Sequence, residues 1–464
     1  MRKLVALVAL LALAIAAATV ANYPGAVDIT WQGWEIDTSV GVLAAALAIL
    51  ALAIWLLLSL VAATVRLPRR FRRNRRERRR RLGELALTHT MVALAAGDAP
   101  AALRQANRAE TLLGASPLTL MLSAHVAQQE GDEAGARRRY LALLEAKEGA
   151  FLGLRGLIGQ ALRAGDRDEA LGLAARARDL RPNAAWAFET LFALQTRARN
   201  WEEARETLAA AARRRLLPAA RAEHQRGAIL YELSRAAEHA GERRQALSLA
   251  ASAHELMRDV AAPAVRHARL LIAEGRRRPA RRVVEQAWQA APHPDLAAVW
   301  AELGGGGSAL ELVPWFEKLA AHNPDSPESA VALAEAALAA QLWGEARRHL
   351  GRAVGAAPEA ASRQLCLLMA RVEESEHPGN GQARHWFDRA LLAPPDPVYV
   401  CTRCGGTSAE WQALCGHCDG FDTLLWRIPA AAVPPAAPAL ADPTAQAPLL
   451  PLPNGLAPAG QSSR

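Results

Sequence analysis

Four of the five cysteines lie close together near the C-terminal end, in the stretch VCTRCGGTSAEWQALCGHCDGFDTLLW. Cys401 and Cys404 form one C-x2-C pair, and Cys415 and Cys418 form a second pair after ten intervening residues. Each pair can direct two thiolates at one ion, and two such pairs complete a tetrahedral all-sulfur site. The spacing therefore predicts a metal centre held by Cys401, Cys404, Cys415 and Cys418.

A structural zinc ion is the first choice for this centre, because a closed shell of four thiolates leaves no open position for a substrate. A module of about thirty residues also has too small an apolar core to fold without a bound metal ion. Iron, as in rubredoxin, uses the same ligands and is the less favoured alternative. Disulfides are a further alternative, which the cytoplasmic location inferred below disfavours. Cys366 lies in a helical pattern, ASRQLCLLMARV, and is expected to be a buried reduced thiol.

Elsewhere the sequence shows no constellation that predicts catalysis. Gly304–Gly307 resemble a phosphate loop only superficially, because no Lys-Ser/Thr pair follows them and no GxGxxG motif follows a strand. They are expected to link two helices, and no dinucleotide cofactor is expected. Five histidines on predicted helices lack HExxH or paired-carboxylate spacing and are expected in packing or at the surface: His125, His224, His239, His254 and His267. The chain is therefore predicted not to be an enzyme.

The N-terminal part contains two apolar runs that could cross a membrane. Leu4–Ala21 has eighteen uncharged residues after Arg2 and Lys3, and Val40–Val65 has twenty-six. Arginine block 66–81 begins at the next residue, with eleven arginines against one glutamate. Basic flanks resist translocation, so both flanks are predicted in the cytoplasm and the short loop outside, which gives a two-span helical hairpin.

An alternative is that residues 1 to about 21 form a cleaved signal peptide, since MRK is a fair basic start and AIAAATVA offers small residues for cleavage. The second run would then stop transfer with the arginines inside, so the body would still lie in the cytoplasm. Trp31 and Trp34, in the loop, are expected at the outer membrane interface.

The net charge of +9 is concentrated in the arginine block, which contributes eleven minus one, or +10. The rest of the chain is nearly neutral, and this argues against a nucleic-acid-binding face spread over a domain. The block is predicted to fix the membrane topology and to contact anionic lipid headgroups.

Residues 82–396 carry an internal repeat. Turn-like segments such as RAGDRDEAL precede an alanine that opens a helix, and Ala102, Ala136, Ala170 and Ala204 are each 34 residues apart. Another small or apolar residue follows seven positions later, and prolines such as Pro182 and Pro292 follow twelve positions later. This period predicts tetratricopeptide repeats, in which two antiparallel helices pack closely. About nine pairs would form an α-solenoid with a groove for other proteins.

The repeat is irregular in two places, and the chain ends in a different composition. The spacing increases to 42 residues between Ala204 and Ala246, and the unit around LGGGGSALELVPWFEKLAAHNPDS is degenerate. The last thirty-six residues contain nine prolines, which predicts a disordered tail. An all-α fold class is expected, with five parts: transmembrane hairpin 1–65, juxtamembrane segment 66–81, repeat solenoid 82–396, four-cysteine module 397–428 and tail 429–464.

The ordered combination of two apolar runs, a basic flank and helical repeats resembles the HemY family of bacterial inner-membrane proteins associated with haem biosynthesis. The resemblance rests also on RGLIGQALRAGDRDEALGLAARARDLRPNAAWAFETLFALQTRARNWEEARETL and on VVEQAWQAAPHPDLAAVW. It covers most of residues 1–396, and the cysteine-bearing end resembles family versions with a zinc-ribbon-like or rubredoxin-like extension.

The resemblance implies a membrane-tethered scaffold that acts late in tetrapyrrole synthesis, whose partners in the repeat groove include haem-biosynthesis enzymes. Direct binding of haem or porphyrin is a weaker variant of this hypothesis, because no histidine or cysteine is indicated as a ligand by its spacing in the sequence. LapB-type adaptors that regulate lipopolysaccharide synthesis share the repeats and a four-cysteine end but have one span, and they remain the alternative.

Overall fold

A computed structural model describes residues 25–31, 34–355 and 361–429 of this chain. The first predicted span, Leu4–Ala21, and the tail from residue 430 onward lie outside the described residues. The chain divides into two compact units, Met1–Leu143 and Leu144–Arg464.

The described part of the first unit begins with a two-stranded antiparallel hairpin where the sequence predicted only a loop. Strand β1 covers Ala26–Trp31 and strand β2 covers Trp34–Ser39, with Trp31 opposite Trp34 in the register. The two strands have the sequences AVDITW and WEIDTS, which are rich in the β-branched and aromatic residues that favour strands. The all-α prediction is therefore incomplete at this end.

Helix α1 extends over Val40–Ala95 without a break. Its segment Val40–Leu57 has a mean hydropathy of 2.8 and is long and apolar enough to cross a membrane, and none of that segment is buried in the protein. The arginine block 66–81 lies within this same helix. The part of the helix after residue 81 packs in the first repeat through Ala86, Leu87 and Leu94. The predicted boundaries at residues 65 and 81 are thus interior positions of one helix.

Two further helices of the first unit, α2 (Ala99–Leu113) and α3 (Pro117–Gln129), pack against the end of α1. Small and branched side chains form the core between them, because alanines allow close approach of helix backbones. This core contains Ala86, Leu87, Leu94, Ala102, Ala106, Ala109, Leu122 and Val126. Helix α4 (Glu133–Glu145) follows α3 in the chain.

The second unit consists of successive helices followed by a small sheet. The helices are α5 (Ala150–Ala164), α6 (Arg167–Leu180), α7 (Ala185–Arg197), α8 (Trp201–Arg213), α9 (Ala219–His239), α10 (Arg243–Leu256), α11 (Ala261–Ala273), α12 (Arg277–Ala290), α13 (Pro294–Leu303), α14 (Ala309–Ala320), α15 (Pro327–Ala339), α16 (Trp343–Val354), α17 (Arg363–Glu376) and α18 (Gln382–Leu392). The prediction of a mostly helical chain of paired helices is confirmed, since α5 with α6, α9 with α10, α15 with α16 and α17 with α18 make the most extensive helix contacts of this unit.

The alanines that define the 34-residue period are the tightest positions in the packing. Ala170, Ala204, Ala246, Ala280 and Ala346 open the second helix of their pairs and are completely buried. A larger side chain would separate the helices, so the period reflects a steric requirement of helix packing.

The two irregular places have distinct structural origins. Helix α9 has 21 residues, whereas α7 has 13, and this longer helix lies within the 42-residue spacing. Gly304–Gly307 connect α13 to α14, as predicted, and Gly305 and Gly306 have φ values of +83° and +73° that favour glycine.

The short pair α13–α14 is held by two tryptophans. Trp300 and Trp315 stack with their ring centroids 4.5 Å apart, and each indole N–H donates to the backbone carbonyl of the other, at 2.9 Å and 2.8 Å. Trp300 is fully buried. This pair is thus joined by a tryptophan contact whose two N–H groups are both hydrogen-bonded, whereas other pairs are joined through alanines.

Candidate metal centre and its docking face

The four-cysteine module is built around a three-stranded antiparallel sheet, in the order β4-β3-β5. The strands are β3 (Val398–Cys401), β4 (Thr407–Ser408) and β5 (Leu424–Arg427). Cys401 is the last residue of β3 and pairs with Leu424. The sheet therefore fixes one end of the first C-x2-C turn, and it is a second departure from the all-α prediction.

The two C-x2-C turns have equivalent backbone geometry. The N–H of Cys401 donates to the carbonyl of Gly406 at 2.8 Å, and the N–H of Cys415 donates to that of Gly420 at 2.9 Å. A Cβ atom at Gly406 would lie 2.6 Å from the His417 ring, and one at Gly420 would lie 3.0 Å from the Thr423 hydroxyl; in each case the Cys404 or Cys418 sulfur would be 3.3 Å away. Glycine at both positions therefore leaves room for these side chains beside the turns.

The four predicted ligands are brought together. The Sγ atoms of Cys401 and Cys418 are 3.7 Å apart, those of Cys404 and Cys415 are 3.8 Å apart, and all four lie within 4.8 Å of one another. Four sulfurs bound tetrahedrally at ~2.3 Å from one ion are about 3.8 Å apart. The cluster therefore has the dimensions of a tetrahedral metal-binding site. Cys366 lies apart from it, buried in α17 as predicted.

The thiols differ in how readily they ionise. Burial raises the pKa of Cys401, but hydrogen bonds with the Thr423 hydroxyl and with backbone N–H groups outweigh burial and lower that pKa to about 6. Burial and hydrogen bonding with the other cysteines raise the pKa of Cys418 to about 12. Neighbouring thiolates repel one another, so a cation is needed for all four to ionise together.

The module packs against the helices of the second unit and forms a shared apolar core with them. Tyr399, Trp411 and Leu424 of the module are buried together with Ala228 of α9 and Met257, which follows α10. Met257 is fully buried, and a Cβ atom at Gly227 would lie 2.4 Å from its Cγ. The surface that receives the module, here called the docking face, comprises Phe192, His224, Ala228, Tyr231 and Met257.

Aromatic contacts join the module to this docking face. Phe421 meets Phe192 of α7 edge to face, with 5.3 Å between ring centroids, and Trp411 meets Tyr231 of α9 in the same way at 5.0 Å. Such pairs add roughly 0.5–1.5 kcal/mol each to the apolar burial.

His224 forms a charged connection between α9 and the module. Its Nδ1 is 2.8 Å from the Asp422 carboxylate, and its Nε2 is 3.6 Å from Asp259, which precedes α11. The carboxylates of Asp259 and then of Asp422 raise the pKa of His224 to about 10. The imidazolium is therefore the dominant form at neutral pH.

His293 makes a second polar connection. The N–H of Asp295 donates to its Nδ1 at 3.1 Å, which leaves Nε2 to carry the ring proton and to donate to the Tyr399 hydroxyl, also at 3.1 Å. Trp426 covers the ring at a centroid distance of 4.2 Å. Burial lowers the pKa of His293, which favours this neutral tautomer.

The sequence indicated the four ligands but not where their module binds. His224 was expected in packing or at the surface, and its contacts with the module are a form of packing that the helix pattern does not show. His293 was not singled out. The signal that points to this face is the 42-residue spacing, since it departs from the repeat; the helix pattern does not mark His293.

Residues 25–131 match the family described as the HemY protein N-terminus. A relative described as the probable magnetosome protein Mms48 of Magnetospirillum gryphiswaldense is 34% identical over 179 residues, which are 38% of this chain and 39% of that protein. The chain thus matches well under half of the relative's length. The predicted resemblance to a HemY-like tetratricopeptide-repeat protein is confirmed.

Several solved helical proteins are similar at low identity. Naa15/Naa10 bound to HypK-THB has a TM-score of 0.38 and 13% identity, covering 67% of this chain and 58% of that one. The TPR2AB domain of yeast Sti1 in complex with pHSP90 has a TM-score of 0.25 and 11% identity, covering 67% and 98%. YrrB, a TPR protein with an unusual peptide-binding site, has a TM-score of 0.23 and 13% identity, covering 36% and 86%. No functional conclusion follows from scores this low.

Proposed function

We propose that this HemY-like chain is a membrane-anchored scaffold that holds protein partners on its helical repeats and acts in late haem biosynthesis. The observation that carries the proposal is the series of paired helices that follows helix α1 in the chain, together with the segment Val40–Leu57 of α1, which can cross a bilayer. The match to the HemY N-terminal family supports the assignment to haem biosynthesis. It does not favour the lipopolysaccharide alternative.

The scaffold is proposed to lie on the cytoplasmic face of the bacterial inner membrane, with two spans and both termini inside. The charge distribution supports this orientation, because eleven arginines at 66–81 follow the apolar segment. These arginines would contact anionic headgroups, each contributing about 1 kcal/mol near the surface. Reporter fusions after Arg81 and within residues 22–39 test the orientation, and periplasmic activity after Arg81 would contradict it.

Cys401, Cys404, Cys415 and Cys418 are proposed to bind one structural zinc ion. The sulfur spacing of 3.7–3.8 Å supports a tetrahedral four-thiolate site. Iron fits the same ligands, and absorbance separates the two, since an iron–thiolate centre is coloured and a zinc centre is not. When bound, the metal would neutralise part of the thiolate charge and fix the two C-x2-C turns. The proposed role is structural, and no turnover is attributed to the chain.

Crosslinking in intact membranes tests the scaffold role. A photo-crosslinking residue at Glu189, which is exposed on α7, is expected to capture haem-biosynthesis enzymes. The same residue at Glu203, which is exposed on the following helix α8, is the matched control and is expected to capture far less. Equal capture from both positions, or capture of no enzyme of that pathway, would contradict the proposal.

Deletion of the chain tests the pathway. Accumulation of porphyrins, measured by fluorescence of cell extracts and reversed by the full chain, is the expected result. Unchanged porphyrins together with altered lipopolysaccharide would support the LapB-type alternative instead.

A further inference from the structure

A cavity of about 430 Å³ lies at the seam between the four-cysteine module and the helices. Its size falls in the range of sites that bind compact ligands or single side chains of a partner. One wall comes from α7, a second from α9 and the segment before it, and a third from the module. The module contributes Arg403, Asp419 and Phe421.

The cavity combines an aromatic surface with cationic groups. Trp186, Phe192 and Phe421 line it together with Arg197 and Arg221, in addition to Arg403. Two acids, Glu189 and Asp419, also line it, so the cationic groups outnumber the anionic ones by three to two. Within the described part of the chain, no ion pair joins any of the three arginines to a carboxylate.

Among the three arginines, Arg197 is the one whose charged form a bound anion would stabilise most. It is partly buried, and its pKa is lowered first by burial and next by the positive charge of Arg403, with Asp419 opposing less strongly. Since the pKa is lowered overall, Asp419 offsets only part of the cost of a partly desolvated cation beside another cation. A carboxylate between the two guanidinium groups would relieve that cost through paired N–H donors.

We propose that this seam is a partner-binding pocket for a peptide segment that carries a carboxylate next to an aromatic or aliphatic side chain. The apolar side chain would lie against Phe192 and Phe421, and the carboxylate would lie among the three lining arginines, Arg197, Arg221 and Arg403. This inference rests on the proposed scaffold role and names the chemistry of one partner site. Because a wall of the pocket belongs to the module, binding requires the metal-loaded, docked module.

Peptide binding to the full-length protein in detergent micelles tests the pocket. The probe is a fluorescein-labelled peptide GGLFEE with a free C-terminus, followed by fluorescence anisotropy. GGLFEE with an amidated C-terminus and GGLFQQ with a free C-terminus separate side-chain carboxylates from the terminal carboxylate, and GGLFQQ amide is the control without either. Saturable binding of at least one carboxylate-bearing peptide, about tenfold tighter than the control, is expected.

Substitutions of single arginines test whether the peptide binds in this cavity. Arg197→Gln and Arg221→Gln are each expected to weaken binding of the carboxylate-bearing peptide about tenfold. Arg226→Gln removes the same charge from an exposed position of α9 outside the cavity and is expected to leave binding unchanged. Equal weakening by all three variants would mean general charge attraction and would overturn the pocket.

Two further outcomes would also overturn the inference. If none of the peptides binds at ~1 mM, the seam lacks an affinity of even about −4 kcal/mol and the pocket is wrong. If Arg197→Gln accelerates transfer of the metal to a chelating dye while peptide binding is unchanged, the arginines serve the metal centre. In either case, capture of enzymes through Glu189 would still support the scaffold role, so the two proposals fail separately.

Discussion

The regular helix pair α5–α6 and the irregular region from α9 to α13 use different side chains for packing. In α6, Ala170, Ala174 and Ala177 are completely buried, and the packing depends on small size alone. In the irregular region the contacts depend on individual groups: the glycine at 227, the imidazole of His224, and the ring of His293 against Tyr399. The first kind of packing repeats, whereas the second occurs once.

This difference shows why the module docks where it does. A regular repeat presents similar side chains at every period, so none of its surfaces is distinct enough to bind the module specifically. The extra length of α9 breaks that similarity and brings His224 to the module, and His293, the residue before α13, contacts the module as well. The 42-residue irregularity in the repeat therefore coincides with the surface that receives a specific partner inside the chain.

The largest effect is expected from removing two metal ligands. Cys401→Ser with Cys415→Ser should lower the metal content from about one ion per chain to none and unfold the module locally. Amide hydrogen exchange should then increase in α9 and at the start of α11, because these segments lose their contacts with the module, but it should not increase in α6. Metal content by mass spectrometry and exchange of peptides from the three helices check this.

Cys366→Ala is the control, because that thiol lies in α17 away from the cluster. Its metal content is expected to match that of the unmodified protein. Retention of the metal in the double serine variant would contradict the site.

Glycine substitutions compare the two kinds of packing directly. Gly227→Ala places a Cβ 2.4 Å from the Cγ of buried Met257, so the free energy of unfolding should fall by about 1–3 kcal/mol. Gly172→Ala in α6 meets nothing within 4 Å and should raise it by about 0.5–1 kcal/mol. Urea unfolding measures the free energy of unfolding of both variants. An equal decrease for the two variants would contradict the proposed difference in packing.

The His224 connection predicts a pH dependence of module docking. The folded-state pKa of about 10 lies above the ordinary value of 6.5, so the stabilisation is complete below pH 6.5 and is lost as the pH rises through 10. His224→Gln should weaken docking by roughly 1–3 kcal/mol at pH 6.5 and by little at pH 10. Hydrogen exchange at Tyr399 and Val400, corrected for the intrinsic pH effect, measures the change; a constant effect across this range would contradict the ionic connection.

The smallest effect is expected in the regular array, at Glu328 of α15. Burial, followed by the charges of Glu335 and Asp396, raises its pKa to about 7. The folded state holds this proton longer than the unfolded chain does, so stability should fall as the pH rises from 4.5 to 7 and stay reduced above. Glu328→Gln should therefore stabilise the protein at pH 8 and not at pH 4.5, by urea unfolding at both pH values. Since this window ends near where the His224 window begins, a pH series separates the two regions.

Several features followed from local patterns because their physics is local. The four ligands were predicted from two C-x2-C pairs, since a knuckle forms within four residues. The helix pairs were predicted from the 34-residue alanine spacing, since close packing excludes larger side chains at those positions. The hairpin at Ala26–Ser39 was missed, because a stretch between two apolar runs was interpreted as a loop despite its β-branched alternation.

The sequence by itself determined the helical repeats, the apolar segment that begins at Val40 and the cysteine cluster, because each depends on contacts between residues near in sequence or periodic along it. Only the tertiary structure decided that the module folds back on α9 and that Asp422 meets His224, 198 positions away. Such a contact forms because an unrepeated surface matches an unrepeated module in shape and charge. Periodicity carries no information about it.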